Sequence, residues 1–177
     1  LMSMFYGLAA AGAWGGARGE NLLDGGAPYY DTYEAADGKF VAVGAIEPKF
    51  FAELGQRIGL DPRFVENQND RSLWPEMRAA LAAICMKKTR DDWCALLEGS
   101  DACFAPVLSM AEAPQHAHAK ARAAYVEIDG VVQPAPAPRF DRSVPPLPRP
   151  APRTGEHTEE VLREAGFSAA EIEALRA

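Results

Sequence analysis

The chain has 177 residues, of which 48% are hydrophobic and 24% are charged, the proportions of an ordinary soluble globular protein. Its net charge of −7 argues against nucleic-acid binding, which requires a basic surface. The apolar stretch at 1–14 is too short for a membrane span, and it contains glycine and has no basic flank, which is wrong for a signal peptide. The three cysteines lack zinc-like spacing and indicate reduced thiols of a cytoplasmic protein, with Cys103 expected to be small and buried.

The first predicted element is a helix over residues 1–13. Met2, Met4 and Phe5 contribute to an apolar stripe on it, and such stripes usually pack in a core. Five glycines within 15–26 then predict a linker. Because the chain begins with leucine inside an apparent helix, we expect it to be the C-terminal part of a longer protein.

Residues 25–60 carry the clearest pattern, which is strand, tight turn, strand, one acidic residue and a helix. The segments 29–34 and 39–44 are rich in β-branched and aromatic residues, and the Asp-Gly pair between them supplies the positive φ of a tight hairpin. Pro48 suits the first helical position, because it has no N–H to donate and its φ is already helical. Apolar residues then repeat at steps of three and four, as on one face of a helix.

Glu47 falls at the N-cap of that helix, since the proline after it favours extended backbone. A carboxylate at this position faces free backbone N–H groups and the positive end of the helix dipole, which favours its charged form. Such a glutamate is better suited to accept a hydrogen bond from a partner's N–H than to deliver a proton. The alternative is that Glu47 is a structural cap and nothing more.

The following segments predict mostly helices. A polar loop at 61–69 precedes a helix that begins near Ser72, and Thr89 begins another helix with a box-like capping pattern. A short buried strand is expected at 102–108, followed by a helix that Ser109 caps.

The C-terminal third mixes turn, extended and helical signals. His116 and His118 would diverge by about 200° on a helix, so we expect surface positions and no metal site. The Asp-Gly pair at 129–130 predicts a second hairpin. The proline-dense stretch 134–152 must be extended, either as a ligand for proline-binding modules or as a stiff strap over a surface. Two short helices are expected in 158–176, the second beginning with a capping box.

The run DGGAPYYDTYEAADGKFVAVGAIEPKFF at 24–51 closely resembles the α-methylacyl-CoA racemases, members of the class III CoA-transferase superfamily. Further segments agree in the same order, and they are GARGENLLDGG, QNDRSLWPEMR, SDACFAPVLSMAEA and GEHTEEVLREAGFSAAEIEALR. The likeness runs over nearly the whole chain. Within the superfamily it favours the racemases, because CoA-transferases tend to have a glycine-rich loop where this chain has Ala45, Ile46 and Glu47.

The resemblance implies an isomerase of fatty acid metabolism, which racemises 2-methyl-branched acyl-CoA thioesters by removing and returning the α-proton through an enolate. Two acid/base groups on opposite faces are then needed. In the racemases these are a histidine and an aspartate of the N-terminal part, which this chain does not contain. Glu47 matches the glutamate that orients that histidine.

The resemblance also implies which residues would contact the substrate. Tyr30 and Ile46 match residues that line the racemase pocket. Met2 and Met4 match a methionine-rich surface near the acyl chain, where flexible thioethers suit a tail of variable shape. By its sequence alone, Tyr30 would be interpreted as a strand aromatic in a core.

The implied fold class is α+β, with a small domain of antiparallel strands and helices at 27–130. Residues 1–26 would form the end of a large-domain helix plus a glycine-rich linker, and 131–153 a proline-rich return linker. The helices of 154–177 would pack on an α/β large domain. Two such proteins would interlock as a homodimer, so that each site forms between two subunits and this chain alone is inactive.

The implied substrate is an acyl-CoA, and no cofactor is expected beyond the CoA that forms part of it. Two alternatives stay open at this point. One is CoA transfer between carboxylic acids, which would use an upstream aspartate as nucleophile. The other is a non-catalytic fragment that binds acyl-CoA.

Overall fold

The computed structural model describes residues 2–175, and it combines α-helices with antiparallel strands. The α-helices are α1 Ser3–Ala10, α2 Pro48–Ile58, α3 Pro62–Glu66, α4 Trp74–Cys85, α5 Arg90–Leu97, α6 Ala117–Ala121, α7 Thr158–Glu164 and α8 Ala169–Ala174. The strands are β1 Tyr30–Glu34, β2 Phe40–Gly44, β3 Phe104–Pro106, β4 Tyr125–Ile128 and β5 Val131–Pro134. The predicted α+β class is confirmed.

The chain forms two compact units that divide between Ser109 and Met110. The first contains α1 to α5 and a three-stranded sheet. The second contains the β4–β5 hairpin and α6 to α8. The predicted boundaries at residues 26, 130 and 153 separate a small domain from linkers and from segments that would pack on a large domain, and they stay a prediction.

The sheet of the first unit has the order β1-β2-β3 and is antiparallel throughout. Gly38, at φ +73°, makes the predicted turn between β1 and β2. Side chains alternate between the two faces with a period of two. One face buries Tyr33, Val41 and Val43 in the core, and Tyr30 belongs to the opposite face, which is exposed.

Helix α2 packs its apolar side on the same core through Phe51 and Leu54, both at most 1% exposed. The ring centroids of Tyr29 and Phe51 are 5.5 Å apart, and those of Tyr29 and Trp74 are 5.9 Å apart. These three side chains form an aromatic cluster that links the residue directly before β1 to α2 and α4. Gly55 lets α3 approach α2, since a Cβ there would lie 2.7 Å from Cγ2 of Val65.

The N-terminal helix is shorter than predicted and contains no buried residue. Met2 is 60% exposed and Met4 is 54% exposed, so the apolar stripe does not form a core in the described part of the chain. Phe5 contacts Trp14 edge to face, at 4.8 Å between ring centroids. Residue 1 of the predicted helix lies outside the described residues.

Two local predictions were wrong. Residues 61–69 are not all loop, because the Asp61 side chain accepts a hydrogen bond from the backbone N–H of Arg63 and starts α3. Ser109 does not start a helix; residues 110–112 form a turn, followed by the 3₁₀ helix Ala113–Gln115. Pro114 explains the second difference, because it has no N–H to bond a carbonyl in the preceding turn.

The remaining predicted elements are present, but the strand expected at 102–108 is shorter, at Phe104–Pro106, and none of its residues is buried, so the prediction of a buried strand was wrong. Asp129, at φ +52°, and Gly130, at φ +75°, form the turn of the second hairpin. Residues 139–153 contain no helix or strand, as their prolines require. Helix α8 begins with the expected capping box; residue 176, the last of the predicted helices, lies outside the described residues. No helix within 2–175 has both the length and the apolar character needed to cross a bilayer.

Candidate functional site

Glu47 lies at the corner between β2 and α2. Its backbone is extended, with φ −73° and ψ 135°, and its carbonyl oxygen accepts the hydrogen bonds of Phe50 N–H and Phe51 N–H at 3.0 Å each. Its side chain is exposed and makes no capping hydrogen bond. The ammonium group of neighbouring Lys49 lies over the ring of Phe50, 4.5 Å from its centroid. The backbone of Glu47 therefore caps the helix while its carboxylate is not used for capping.

Gln68 holds the two peptide groups that precede this corner. Its side chain is buried, at 4% exposure, and its Nε2 donates to the carbonyl oxygens of Ala45 and Ile46 at 3.0 Å each. The N–H of Ile46 donates to the carbonyl of Gly44 at 2.9 Å, which tightens the turn out of β2. Gln68 lies in the segment QNDRSLWPEMR that resembles the racemases, but no local pattern in the sequence shows which carbonyls a side-chain amide will reach.

A shallow groove of about 380 Å³ lies on the outer face of the sheet, and its lining includes Tyr30, Ala42, Gly44, Cys103 and Ala105. Tyr30 stands directly opposite Gly44 in the β1–β2 pairing and is 38% exposed. A Cβ added at Gly44 would lie 3.8 Å from the Tyr30 ring, so the ring packs across this glycine. The alternative of Tyr30 as a core aromatic is therefore wrong for this unit.

Arg78 of α4 binds the segment that leads into β1. Its guanidinium pairs with Asp31 and donates to the carbonyl oxygens of Gly25 and Gly26, at 2.6 and 3.0 Å. Asp31 is adjacent to Tyr30 in β1, so this interaction anchors the strand next to the groove.

Cys103 is exposed, and the prediction of a buried thiol was wrong. Its backbone adopts φ +49°, and its carbonyl accepts the N–H of Gly44 at 2.8 Å, which turns the side chain outward at the groove. Partial burial raises the pKa of the thiol, and the nearby charges of Glu47, Asp101 and Glu53 raise this pKa further. A raised pKa leaves less of the thiol in its reactive thiolate form at neutral pH.

The structure brings three of the five proposed site residues to one end of the sheet. Tyr30 pairs with Gly44, and Ile46 and Glu47 follow on the same chain. Met2, which precedes α1, and Met4, within α1, are exposed and do not line the groove. Within residues 2–175, no group of three or more His, Cys, Asp or Glu side chains is placed to hold a metal ion.

The sequence matches the family described as CoA-transferase family III over residues 1–158. The chain belongs to CoA-transferase family III. Among its curated relatives, the α-methylacyl-CoA racemases of Mus musculus and Homo sapiens are 45% and 42% identical over 175 residues. Each alignment covers 97% of this chain and 46% of the racemase, so the chain spans less than half the length of these family III relatives.

The family also includes proteins named for CoA transfer. The succinyl-CoA–L-malate CoA-transferase beta subunit of Chloroflexus aurantiacus is 28% identical over 148 residues, which cover 75% of this chain and 35% of that protein. Its identity to this chain is well below that of the two racemases.

Solved structures support the fold. A CAIB/BAIF family protein from Brucella suis superposes with a TM-score of 0.67 at 20% identity, covering 93% of this chain and 44% of that one. Rv3272 from Mycobacterium tuberculosis gives a TM-score of 0.59 at 22% identity, covering 74% of this chain and 38% of that one. At these identities the likeness concerns the architecture alone.

Proposed function

We propose that this chain supplies the C-terminal part of an α-methylacyl-CoA racemase site. Glu47 accepts a hydrogen bond from an imidazole N–H on polypeptide that corresponds to the N-terminal half of the racemases. The observation that carries this proposal is the exposed Glu47 carboxylate, which makes no capping hydrogen bond. The two peptide groups before Glu47 are hydrogen-bonded to the Gln68 side chain. Identities of 45% and 42% to two racemases support it.

In the proposed reaction a base removes the proton on the carbon α to the thioester. The electron pair of that C–H bond moves toward the thioester carbonyl and forms an enolate, and an acid on the opposite face returns a proton to the carbon. Glu47 holds the imidazole in one orientation and stabilises its protonated form by charge pairing. Tyr30 and Ile46 contact the acyl thioester, and Met2 and Met4 lie along its hydrocarbon tail.

The proposal includes an assembly. The acid/base residues come from the N-terminal portion, and two subunits interlock so that each site uses the small domain of one and the large domain of the other. Exposed Met2 and Met4, at the start of α1, suit such a contact, because large apolar side chains in water favour burial against another surface. A cytoplasmic location and a role in fatty acid metabolism belong to the same proposal.

The test is α-proton exchange by the complete polypeptide that contains this chain. With 2-methylacyl-CoA in D₂O, we expect Glu47→Gln to slow deuterium incorporation at the α carbon by at least about ten-fold, since a neutral amide cannot pair with an imidazolium. Mass spectrometry of the recovered thioester measures the rate.

Asp61→Asn is the matched control, because Asp61 also precedes a proline at a helix start but caps that helix with its side chain. This variant should exchange at the wild-type rate. Wild-type exchange in Glu47→Gln would remove the assigned role from Glu47.

CoA transfer is the second candidate function, and the relative from Chloroflexus aurantiacus favours it. It would proceed through an acyl-enzyme on an upstream aspartate, which hydroxylamine would trap. Transfer of CoA between two carboxylic acids without α-deuteration would support transfer over racemisation. Tight acyl-CoA binding by this chain with neither activity would instead indicate a binding fragment.

A further inference from the structure

The backbone between β2 and α2 has three carbonyl groups, and that of Glu47 already accepts hydrogen bonds from α2. The paired register of β2 ends at Gly44, and the carbonyl oxygens of Ala45 and Ile46 come next. Ala45 is fully buried, so its carbonyl requires a partner from the protein. Nε2 of Gln68 supplies one N–H to each oxygen, across 23 and 22 residues of sequence.

Gln68 is itself held from the side of the core. Its backbone carbonyl oxygen accepts the indole N–H of Trp74 at 2.9 Å, and Trp74 is buried against Tyr29. The hydroxyl of Tyr29 donates to Oδ1 of Asn69 at 2.8 Å. The segment that carries the amide is therefore tied to the aromatic cluster, which makes it a rigid support.

The orientation of the Gln68 amide follows from its partners. The reverse orientation would place Oε1 against the two carbonyl oxygens of Ala45 and Ile46, which cannot donate. Both N–H groups of Nε2 are thus committed to the peptide groups before Glu47. Oε1 is buried and has no hydrogen-bond partner within residues 2–175. Within the described residues, the side chain therefore forms hydrogen bonds through Nε2, to the carbonyls of Ala45 and Ile46.

We propose that Gln68 is a positioning residue for Glu47. Resting on the proposed racemase function, it fixes the two peptide planes that precede Glu47 and so sets the direction in which the carboxylate leaves the corner. A misplaced carboxylate would orient the imidazole poorly during proton transfer. Among the proposed acyl-CoA contacts, only Ile46 belongs to the peptide groups that Gln68 holds. Loss of Gln68 should therefore lower kcat by a larger factor than it raises KM.

The test is a double-mutant cycle in the complete polypeptide, with deuterium incorporation into 2-methylacyl-CoA as the readout. Gln68→Met keeps the length of the side chain and removes both donors, and we expect kcat to fall about ten-fold with KM within about two-fold. In the Glu47→Gln background the same change should cause almost no further loss, because the two residues would act through one interaction. Gln68→Asn, which keeps the amide but shortens its reach, repeats the test if Gln68→Met does not fold.

Phe64→Leu is the control for a purely structural effect, since Phe64 is buried in the neighbouring α3 and its side chain has no group that could donate a hydrogen bond to either carbonyl. It should lower the melting temperature and leave kcat unchanged. Wild-type kcat in both Gln68 variants, or losses that multiply with that of Glu47→Gln, would overturn the positioning role and leave the racemase proposal intact. A wild-type rate in Glu47→Gln alone would overturn both.

Discussion

Two acidic residues of this chain stand directly before a proline at a helix start, and they have different partners. The Asp61 carboxylate accepts the N–H of Arg63 at 2.9 Å, whereas the Glu47 carboxylate makes no capping bond. Short side chains are preferred at N-caps because they return to the backbone N–H groups of the first turn. Glutamate has one more methylene, which allows its carboxylate to extend away from the helix.

This difference predicts unequal costs in folding stability. We expect Asp61→Ala to lower the free energy of unfolding by about 1 kcal/mol, the usual value of a side-chain cap. Glu47→Ala should change it by only a few tenths, because no capping bond is lost. Urea denaturation of both variants measures the two costs, and equal losses would show that Glu47 is a structural cap after all.

At the scale of the element, the clearest agreement between sequence and structure is at the starts of helices. In α5 the side chains of Thr89 and Asp92 bond each other's backbone N–H groups, and in α8 Ser168 and Glu171 do the same. The hydrogen bond from the Thr89 hydroxyl is the main reason that the pKa of Asp92 lies below its ordinary value of 3.8. The charged carboxylate thus stabilises the folded state.

A depressed pKa fixes the sign of the pH dependence. The contribution of Asp92 is fully present above 3.8, its unfolded value, and is lost as the pH falls through the lower folded value. We expect Thr89→Val to be less stable than wild type at neutral pH, with a difference that shrinks below pH 3.8. Urea midpoints across this range measure it, and a difference that does not vary with pH would exclude the carboxylate as its source. We expect Ser168→Ala to show the same direction of pH dependence at α8, because the hydrogen bond from the Ser168 hydroxyl lowers the pKa of Glu171.

At the scale of the whole molecule, the chain is two units that match less than half of each racemase. The proline-dense stretch after the second hairpin is exposed from 139 to 153 and contains no regular structure. A strap of this kind is accessible in the chain alone and would be covered where it lies on a large domain. Its accessibility therefore reports on the proposed assembly.

Limited trypsin digestion should cut the isolated chain early after Arg142, which is exposed and followed by serine. Arg149 is followed by Pro150, so this bond should resist. In the complete, assembled polypeptide we expect the cut after Arg142 to slow by about ten-fold or more, because local structure must open before cleavage. Mass spectrometry identifies the sites, and Lys87, after α4, is the internal reference. Equal cleavage of the strap in both forms would contradict the strap hypothesis.

Residue type and spacing predicted the structural features that depend on near neighbours along the chain. Turn formation at Gly38 and Gly130, the proline start of α2 and the box at Thr89 each involve atoms a few residues apart, so residue type and spacing suffice. The position of Glu47 at a strand-to-helix corner belongs to this group. Its proposed role came from family resemblance, since most acidic residues at a helix N-terminus are structural.

Only the tertiary structure decided which side chains are covered and what holds the corner. Cys103 is exposed because its backbone turns at φ +49° to bond Gly44, and Gln68 reaches carbonyls 22 and 23 residues away because the aromatic cluster packs its segment beside β2. Such contacts depend on how distant segments pack, and short-range periodicity carries no information about them.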